Sequence, residues 1–288
     1  MHYLFALILS ISFFATSAHA SNNDACGNNT DCIEVGRWDI GIALGYGVKS
    51  NPLKDFDDIP IYAVPTIAYY GDSWFFDNGN IGYTVTEGEN YTVNVVSTFS
   101  TDRAFFYRWD PSNIFLVNGH SAARSNISIM AAIPEPEIDT SKLEDRSFTY
   151  LGGVEAFLYT RFGIVKASVT HDLFNVHNGT EAQLKWLYNI PLDSWNFEFA
   201  AVLDWKSEQV VDYYYGIRPS ESPYWSEKYQ AESALNQSIE FTGQYVLTEN
   251  WNILLVARYT DLADEIVDSP LLDKDYTTTY FVGAAYRF

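Results

Sequence analysis

The chain ends on Thr277-Thr278-Thr279-Tyr280-Phe281-Val282-Gly283-Ala284-Ala285-Tyr286-Arg287-Phe288, and this stretch alternates. Tyr280, Val282, Ala284, Tyr286 and Phe288 fall on one face; Phe281, Gly283, Ala285 and Arg287 fall on the other. A period of two is that of a β-strand. An aromatic-rich strand with no polar tail would recruit other strands if its edge stayed open. The pattern makes sense when that edge closes against the first strand of a barrel. One row then faces lipid, and the small or polar row faces the lumen.

The same period recurs upstream. Trp195, Phe197, Phe199, Ala201, Leu203 and Trp205 oppose Asn196, Glu198 and Asp204, the cleanest lipid-facing stripe in the chain. Trp251 to Tyr259 and Ser238 to Tyr245 alternate, as do Ala182 to Tyr188, Val165 to Thr170 and Tyr150 to Tyr159. Near the start, Trp38, Ile40, Ile42, Leu44 and Tyr46 alternate with Asp39, Gly41, Ala43 and Gly45. Ile61 to Tyr70 reads as a strand despite Pro65, and Trp74 to Val85 as its return, with a bulge at Asp77-Asn78-Gly79-Asn80. Tyr91 to Phe99 follows, then a shorter strand near Ala104. Residues 110–147 read as a long loop with a small strand at Ser125 to Ala131, and residues 206–235 as a second long connection.

Counting back from Phe288 predicts an all-β protein: a transmembrane antiparallel up-and-down β-barrel of about 12 strands. The runs match the roughly 9–11 residues a barrel strand needs to cross. Short turns alternate with longer loops, and both ends of the barrel lie on the short-turn side. A soluble β-sandwich or lipocalin-like barrel would bury its apolar face and show a shorter repeat.

Composition agrees. Aromatic residues are 17% of the chain, a load that fits interfacial girdles, and the formal net charge of −20 argues against a nucleic-acid partner. The apolar run Tyr3 to Phe14, followed by Ala18-His19-Ala20, reads as a signal peptide over residues 1–20. Residues 21–36 then form a periplasmic lead-in, and 37–288 the barrel. Cys26 and Cys32 in that lead-in read as one small-loop disulfide in an oxidising compartment, dispensable for barrel assembly.

Several motifs together resemble the MipA/OmpV family of outer-membrane proteins (MltA-interacting protein). They are Trp38 with Gly41, Gly45 and Tyr46; Ser50-Asn51-Pro52-Leu53; Tyr70-Gly71-Asp72; Trp74-Phe75-Phe76-Asp77-Asn78 with Gly82-Tyr83; Trp205-Lys206-Ser207; Asp212-Tyr213-Tyr214-Tyr215-Gly216; Asp268-Ser269-Pro270-Leu271; and Phe288. The terminal Phe288 resembles the signature read by the barrel-assembly machinery. The resemblance implies the outer membrane of a Gram-negative bacterium. Some members of that family are described as scaffolds between a lytic transglycosylase and a penicillin-binding protein, others as general outer-membrane proteins or adhesins, so the resemblance implies a structural or scaffold role with those two enzymes as candidate partners. The alternative is a small-solute channel.

Few side chains in the sequence could carry chemistry. His120, His171 and His177 are the histidines beyond the signal peptide. His171 shares parity with the lipid-facing Val165, Ala167 and Val169, so it and Asp172 point to opposite faces and cannot form one dyad. There is no G-x-S-x-G elbow, and the reading is not an enzyme, with no cofactor and no metal. Asp39, Glu155, Lys166, Lys185, Glu198, Asp204, Glu240 and Arg258 fall on the lumen face, where mixed signs predict internal ion pairs. Asp212, Tyr213, Tyr214 and Tyr215 form a candidate mouth or ligand patch; the plainer reading is a strand extension or an inward-folded loop. The acidic clusters at Asp55-Phe56-Asp57-Asp58 and Asp264 to Asp275 could bridge to lipopolysaccharide through divalent cations, or be solvated loops. On the last strand, Val282→Arg is expected to be severe and Gly283→Ser mild.

Overall fold

The computed structural model describes residues 35–115 and 136–288. The stretch read as a signal peptide, most of that read as a lead-in with Cys26 and Cys32, His120, and the small strand read at Ser125 to Ala131 lie outside the described residues. Twelve strands close into one antiparallel barrel in which each strand pairs with its chain neighbours and the last with the first. They are β1 (Trp38–Lys49), β2 (Ile59–Tyr70), β3 (Trp74–Asp77), β4 (Asn80–Gly88), β5 (Tyr91–Phe99), β6 (Tyr150–Thr160), β7 (Gly163–Asp172), β8 (Thr180–Leu192), β9 (Trp195–Lys206), β10 (Ala234–Val246), β11 (Trp251–Asp261) and β12 (Tyr276–Arg287). Closure is by β12 on β1, in a register that sets Gly45 opposite Gly283 and Tyr46 opposite Val282. Both ends of the barrel sit at the short-turn rim: the Gly36 N–H donates to Tyr70 O at 2.7 Å and the Phe288 N–H to Ile40 O at 2.9 Å.

The alternation read in the sequence is the alternation of the wall. Trp38, Ile40, Leu44 and Tyr46 are exposed outward on β1, as are Phe199, Leu203 and Trp205 on β9 and Tyr280 and Val282 on β12. On the inner face Ala43, Val64 and Phe281 are buried together. Aromatic pairs bridge neighbouring strands near the short-turn rim, with ring centroids 4.9 Å apart for Trp74–Tyr83, Trp195–Tyr245 and Trp251–Tyr286. Such pairs form the interfacial girdle of a barrel in lipid.

Two details differ from the sequence reading. The stretch at Asp77 to Asn80 is a hairpin, not a bulge. Asn78 and Gly79 both take positive φ, 50° and 92°, which a two-residue type I′ turn requires and which Asn-Gly supplies. Only glycine fits at position 79, because a Cβ there would lie 2.7 Å from the Phe99 ring. One expected strand thus becomes β3 and β4. Conversely, no strand forms near Ala104, which lies in a 3-10 turn over Asp102–Phe105. The segment then turns into α1 (Pro111–Ile114), with the Asp110 carboxylate capping it by accepting from the Ser112 N–H. The chain has already left the wall at the end of β5, and Pro111 sits in the first turn of α1, where its missing N–H costs nothing. The two changes offset, and the total remains twelve.

The short β3 also explains Pro65. Strand β3 pairs with β2 only at Ala68, Tyr69 and Tyr70. Beyond them the Ile67 N–H donates to the Asn78 side chain, and Ile67 O accepts from the Asn78 N–H. Farther along, β2 has no strand on that side among the described residues. Pro65 is two residues from Ile67, so its missing N–H faces this edge, where no ladder bond is lost.

Candidate functional site

The lumen is a polar ladder built by alternation. Several inward charges meet an opposite charge on a neighbouring strand or loop. Arg287 Nε lies 2.5 Å from Asp39, and Lys166 Nζ 3.0 Å from Glu155. Lys185 pairs with Glu240, which also has Arg258 at 3.8 Å. Asp204 accepts from the Gln183 amide at 2.8 Å. These residues were expected in the lumen from parity, and the ion pairs follow from mixed signs on a narrow inner wall. Two cations were not foreseen. Lys206 is buried between Asp102 at 2.9 Å and Glu181 at 3.4 Å. Lys49 donates to the Asn113 side chain at 2.9 Å. Both tether the loop after β5 to the wall. A buried cation is retained when its charge and hydrogen bonds are matched, which Asp102 and Glu181 accomplish for Lys206.

Above this ladder the described parts of the long loops pack on one another. Chain leaving β9 turns at Ser207 into α2 (Glu208–Tyr215), which folds into the mouth of the barrel. Val210, Val211, Tyr214 and Tyr215 lie on one side of it, spaced i, i+1, i+4 and i+5, and all four are fully buried. They form a hydrophobic core with Leu53, Phe105, Ile138, Ile217, Leu262, Ile266, Leu271 and Leu272, drawn from four different loops. Burying each Val or larger side chain contributes about 1.5–3 kcal/mol, so this core holds the loops as one cap. The candidate patch Asp212, Tyr213, Tyr214 and Tyr215 is therefore helix rather than a strand extension, and two of its rings are cap interior. Burial pushes the Tyr214 and Tyr215 phenols well up, so both stay neutral. The Tyr213 hydroxyl reaches the other way and accepts from the Ser147 N–H at 2.7 Å.

His171 and Asp172 separate as parity requires. The His171 ring is exposed against Thr180 Oγ1 at 2.9 Å. Asp172 is buried and accepts from Thr149 Oγ1 at 2.5 Å and from the N–H groups of Phe174, His177 and Asn178. It shapes the loop between β7 and β8. His177 lies under the cap: its Nδ1 accepts from the Gly179 N–H at 2.9 Å, and its ring packs 5.8 Å from both Tyr213 and Tyr214. Burial holds its pKa below the ordinary histidine value, with Asp172 opposing that shift. The sign follows. A base depressed by folding contributes full stability above its unfolded pKa, about 6.5, and loses it as the pH falls below that value. Limited proteolysis of the cap is expected to accelerate below about pH 6.5. His177→Asn, which keeps an acceptor for Gly179, is expected to flatten that dependence; an unchanged slope would remove His177 as its cause.

Beneath the cap lies a cavity of about 620 Å³. It extends from Tyr215, Phe105 and Lys206 at the capped end to Glu87, Phe157 and Tyr159 near the short-turn rim. Among the described residues no group of His, Cys, Asp or Glu has the arrangement of a metal site.

A closed antiparallel barrel with an apolar outer belt, a charged lumen, short turns at one rim and long loops at the other defines an outer-membrane β-barrel. The chain belongs to the family described as MltA-interacting protein MipA, whose model matches residues 40–288. The MltA-interacting protein of Escherichia coli strain K12 is 26% identical over 254 residues, covering 88% of this chain and 91% of that one. Outer membrane protein OmpV of Vibrio cholerae is 22% identical over 285 residues, covering 98% of each. Among solved structures, an outer membrane channel from Pseudomonas putida F1 superposes with a TM-score of 0.38 at 9% identity, covering 90% of this chain and 98% of that one. The protein is an outer-membrane protein, and its short-turn rim is the periplasmic one.

Proposed function

We propose that this barrel is a membrane-fixed scaffold that presents its periplasmic face to cell-wall enzymes, a lytic transglycosylase first among them. The observation that supports the reading is the packed outer mouth, where a hydrophobic core spans four loops. A through-pore needs a continuous wetted path, and a packed apolar plug removes it. The small-solute channel is thereby the weaker alternative. The partner class comes from the name of a relative, MltA-interacting protein, aligned over nearly the full barrel. A non-enzymatic role agrees with the relatives' names and with the separation of His171 from Asp172.

Two measurements test this. In planar bilayers the folded protein is expected to give no discrete conductance steps; regular steps at low voltage would favour the channel. From solubilised membranes, the tagged barrel is expected to retain a lytic transglycosylase that an unrelated barrel of the same membrane does not retain. Equal recovery on both would overturn the scaffold reading.

A further inference from the structure

We propose that the periplasmic half of the lumen holds a binding site for a small organic ammonium ion, centred on Asp77. This goes beyond the scaffold reading and does not depend on it. Two other carboxylates, Asp39 and Glu155, and the Lys166 ammonium lie within electrostatic reach of Asp77. Asp39 has Arg287 at 2.5 Å and Glu155 has Lys166 at 3.0 Å. Asp77 has only neutral donors, the Tyr70 phenol at 3.2 Å and the Asn78 amide at 2.9 Å. Among the described residues no lysine or arginine pairs with it. A half-buried carboxylate with no cation paired to it carries a desolvation cost that a bound cation would offset.

The neighbouring corner shows what such a cation looks like. Lys166 places its ammonium 5.7 Å from the centre of the Phe157 ring while pairing with Glu155. Phe157 is stacked on Tyr159, with centroids 6.4 Å apart and planes 9° from parallel. The Asp77 corner has the same two components, a carboxylate and a stacked aromatic pair. Tyr70 and Phe75 stack at 5.8 Å and 17°, and both line the cavity. It has no side-chain ammonium of its own. Aromatic faces beside a carboxylate favour an organic cation over a strongly hydrated metal ion.

Two further atoms point to a donor-bearing ligand. Asn94 is 4% exposed and lines the cavity; its amide nitrogen donates to Glu155 at 2.9 Å, and its oxygen has no partner. The oxygen of Asn80, opposite Asp77 in the β3–β4 register, is also buried without one. Buried acceptors without donors are costly, so a ligand carrying N–H groups is preferred to a quaternary one. Access is from the periplasm, since the cap closes the other end and Glu87 and Tyr159 are exposed at the short-turn rim.

Ligand-observed NMR on the folded full-length barrel in micelles tests this, with ethylammonium and tetramethylammonium chloride as probes at constant ionic strength. Ethylammonium is expected to bind saturably and at least fivefold more tightly than tetramethylammonium. Asp77→Asn is expected to weaken it at least tenfold. Asp204→Asn, on the far wall, is expected to leave it within twofold. Phe75→Leu, expected to weaken it severalfold, decides the matter if Asp77→Asn does not fold, judged by loss of the faster-migrating band that an unboiled folded barrel gives on a gel. The proposal is overturned by an absence of saturable binding, by displacement of ethylammonium by equimolar sodium, or by wild-type affinity in the folded Asp77→Asn protein. Wild-type affinity in Phe75→Leu, where that variant decides, overturns it equally.

Discussion

Val282→Arg is expected to abolish most of the folded barrel, read as loss of the fast-migrating unboiled band on a gel. Val282 is half-exposed on the lipid face at the centre of β12, opposite Tyr46 on one side and Leu255 on the other. An arginine on the lipid face costs about 2–4 kcal/mol at the midplane and far less near the interfaces. That is a large share of a total stability of about 5–15 kcal/mol. The position raises the stakes. Because β12 pairs with both β11 and β1, a strand that fails to dock leaves two open edges rather than a local defect. The suitable inner-face control is Ala285→Ser, expected to fold as wild type. Gly283→Ser, expected from its facing to be mild, is no longer so. A Cβ at Gly283 would lie 2.6 Å from the Leu44 carbonyl oxygen and 2.7 Å from the Phe281 ring. Gly45 opposite is as tight, with a Cβ only 2.0 Å from Val282 O. The Gly45–Gly283 pair lets β1 and β12 close on each other, and a side chain there would force backbone apart. If Val282→Arg folded normally while Ala285→Ser failed, the facing of β12 and every register counted from it would be wrong.

The wall was legible because strand parity is a local property. One alternating run such as Trp195 to Trp205 reveals both its face to lipid and its face to the lumen, and the mixed charges on the inner face imply the ion pairs found there. What escaped was non-local. Lys206 reads as the polar end of a strand; its partner Asp102 comes from a loop about a hundred residues earlier, and no spacing rule connects them. The tyrosine run at positions 213–215 has strong strand propensity, yet becomes helix because Val210 with Tyr214, and Val211 with Tyr215, repeat at i, i+4 and find a core to enter. That spacing, following Ser207, was the available signal. The Asn78-Gly79 hairpin was also signalled, by the dipeptide itself, but a four-residue strand is shorter than any crossing strand and was absorbed into its neighbour.

Glu221→Ala is expected to release the cap while leaving the barrel intact. Arg146 and Glu221 are both almost completely buried, with Arg146 Nη1 2.7 Å from Glu221 Oε1. The same guanidinium donates to the carbonyl oxygens of Glu144 and Gly216, and the carboxylate accepts from the N–H groups of Arg218 and Glu144. The pair therefore ties the strand of chain before β6 to the segment after α2, the two sides of the lid. Removing one member leaves a buried charge without its partner, which costs about 3–5 kcal/mol. Glu221→Gln keeps an acceptor and is expected to lose much less. The cost falls on cap docking, because no strand of the wall passes through this pair. Protease added to proteoliposomes is expected to cleave Glu221→Ala in the loops around positions 136–149 and 217–222 at least tenfold faster than wild type, with gel mobility of the unboiled barrel unchanged. Acid is expected to mimic the substitution. Burial alone would raise the Glu221 carboxyl, but the hydrogen bonds from Arg146, Arg218 and Glu144 hold it below its ordinary value. A carboxyl depressed by folding contributes stability above its unfolded pKa and loses it as the pH falls below about 4. The scaffold reading gains a direct comparison from the same variant. Current through wild-type protein is expected to stay flat, and opening of the Glu221→Ala cap is expected to produce irregular flickering. Flickering of equal amplitude in wild type and variant would mean that the cap does not seal the lumen. Unchanged proteolysis of Glu221→Ala would mean that this pair does not hold it.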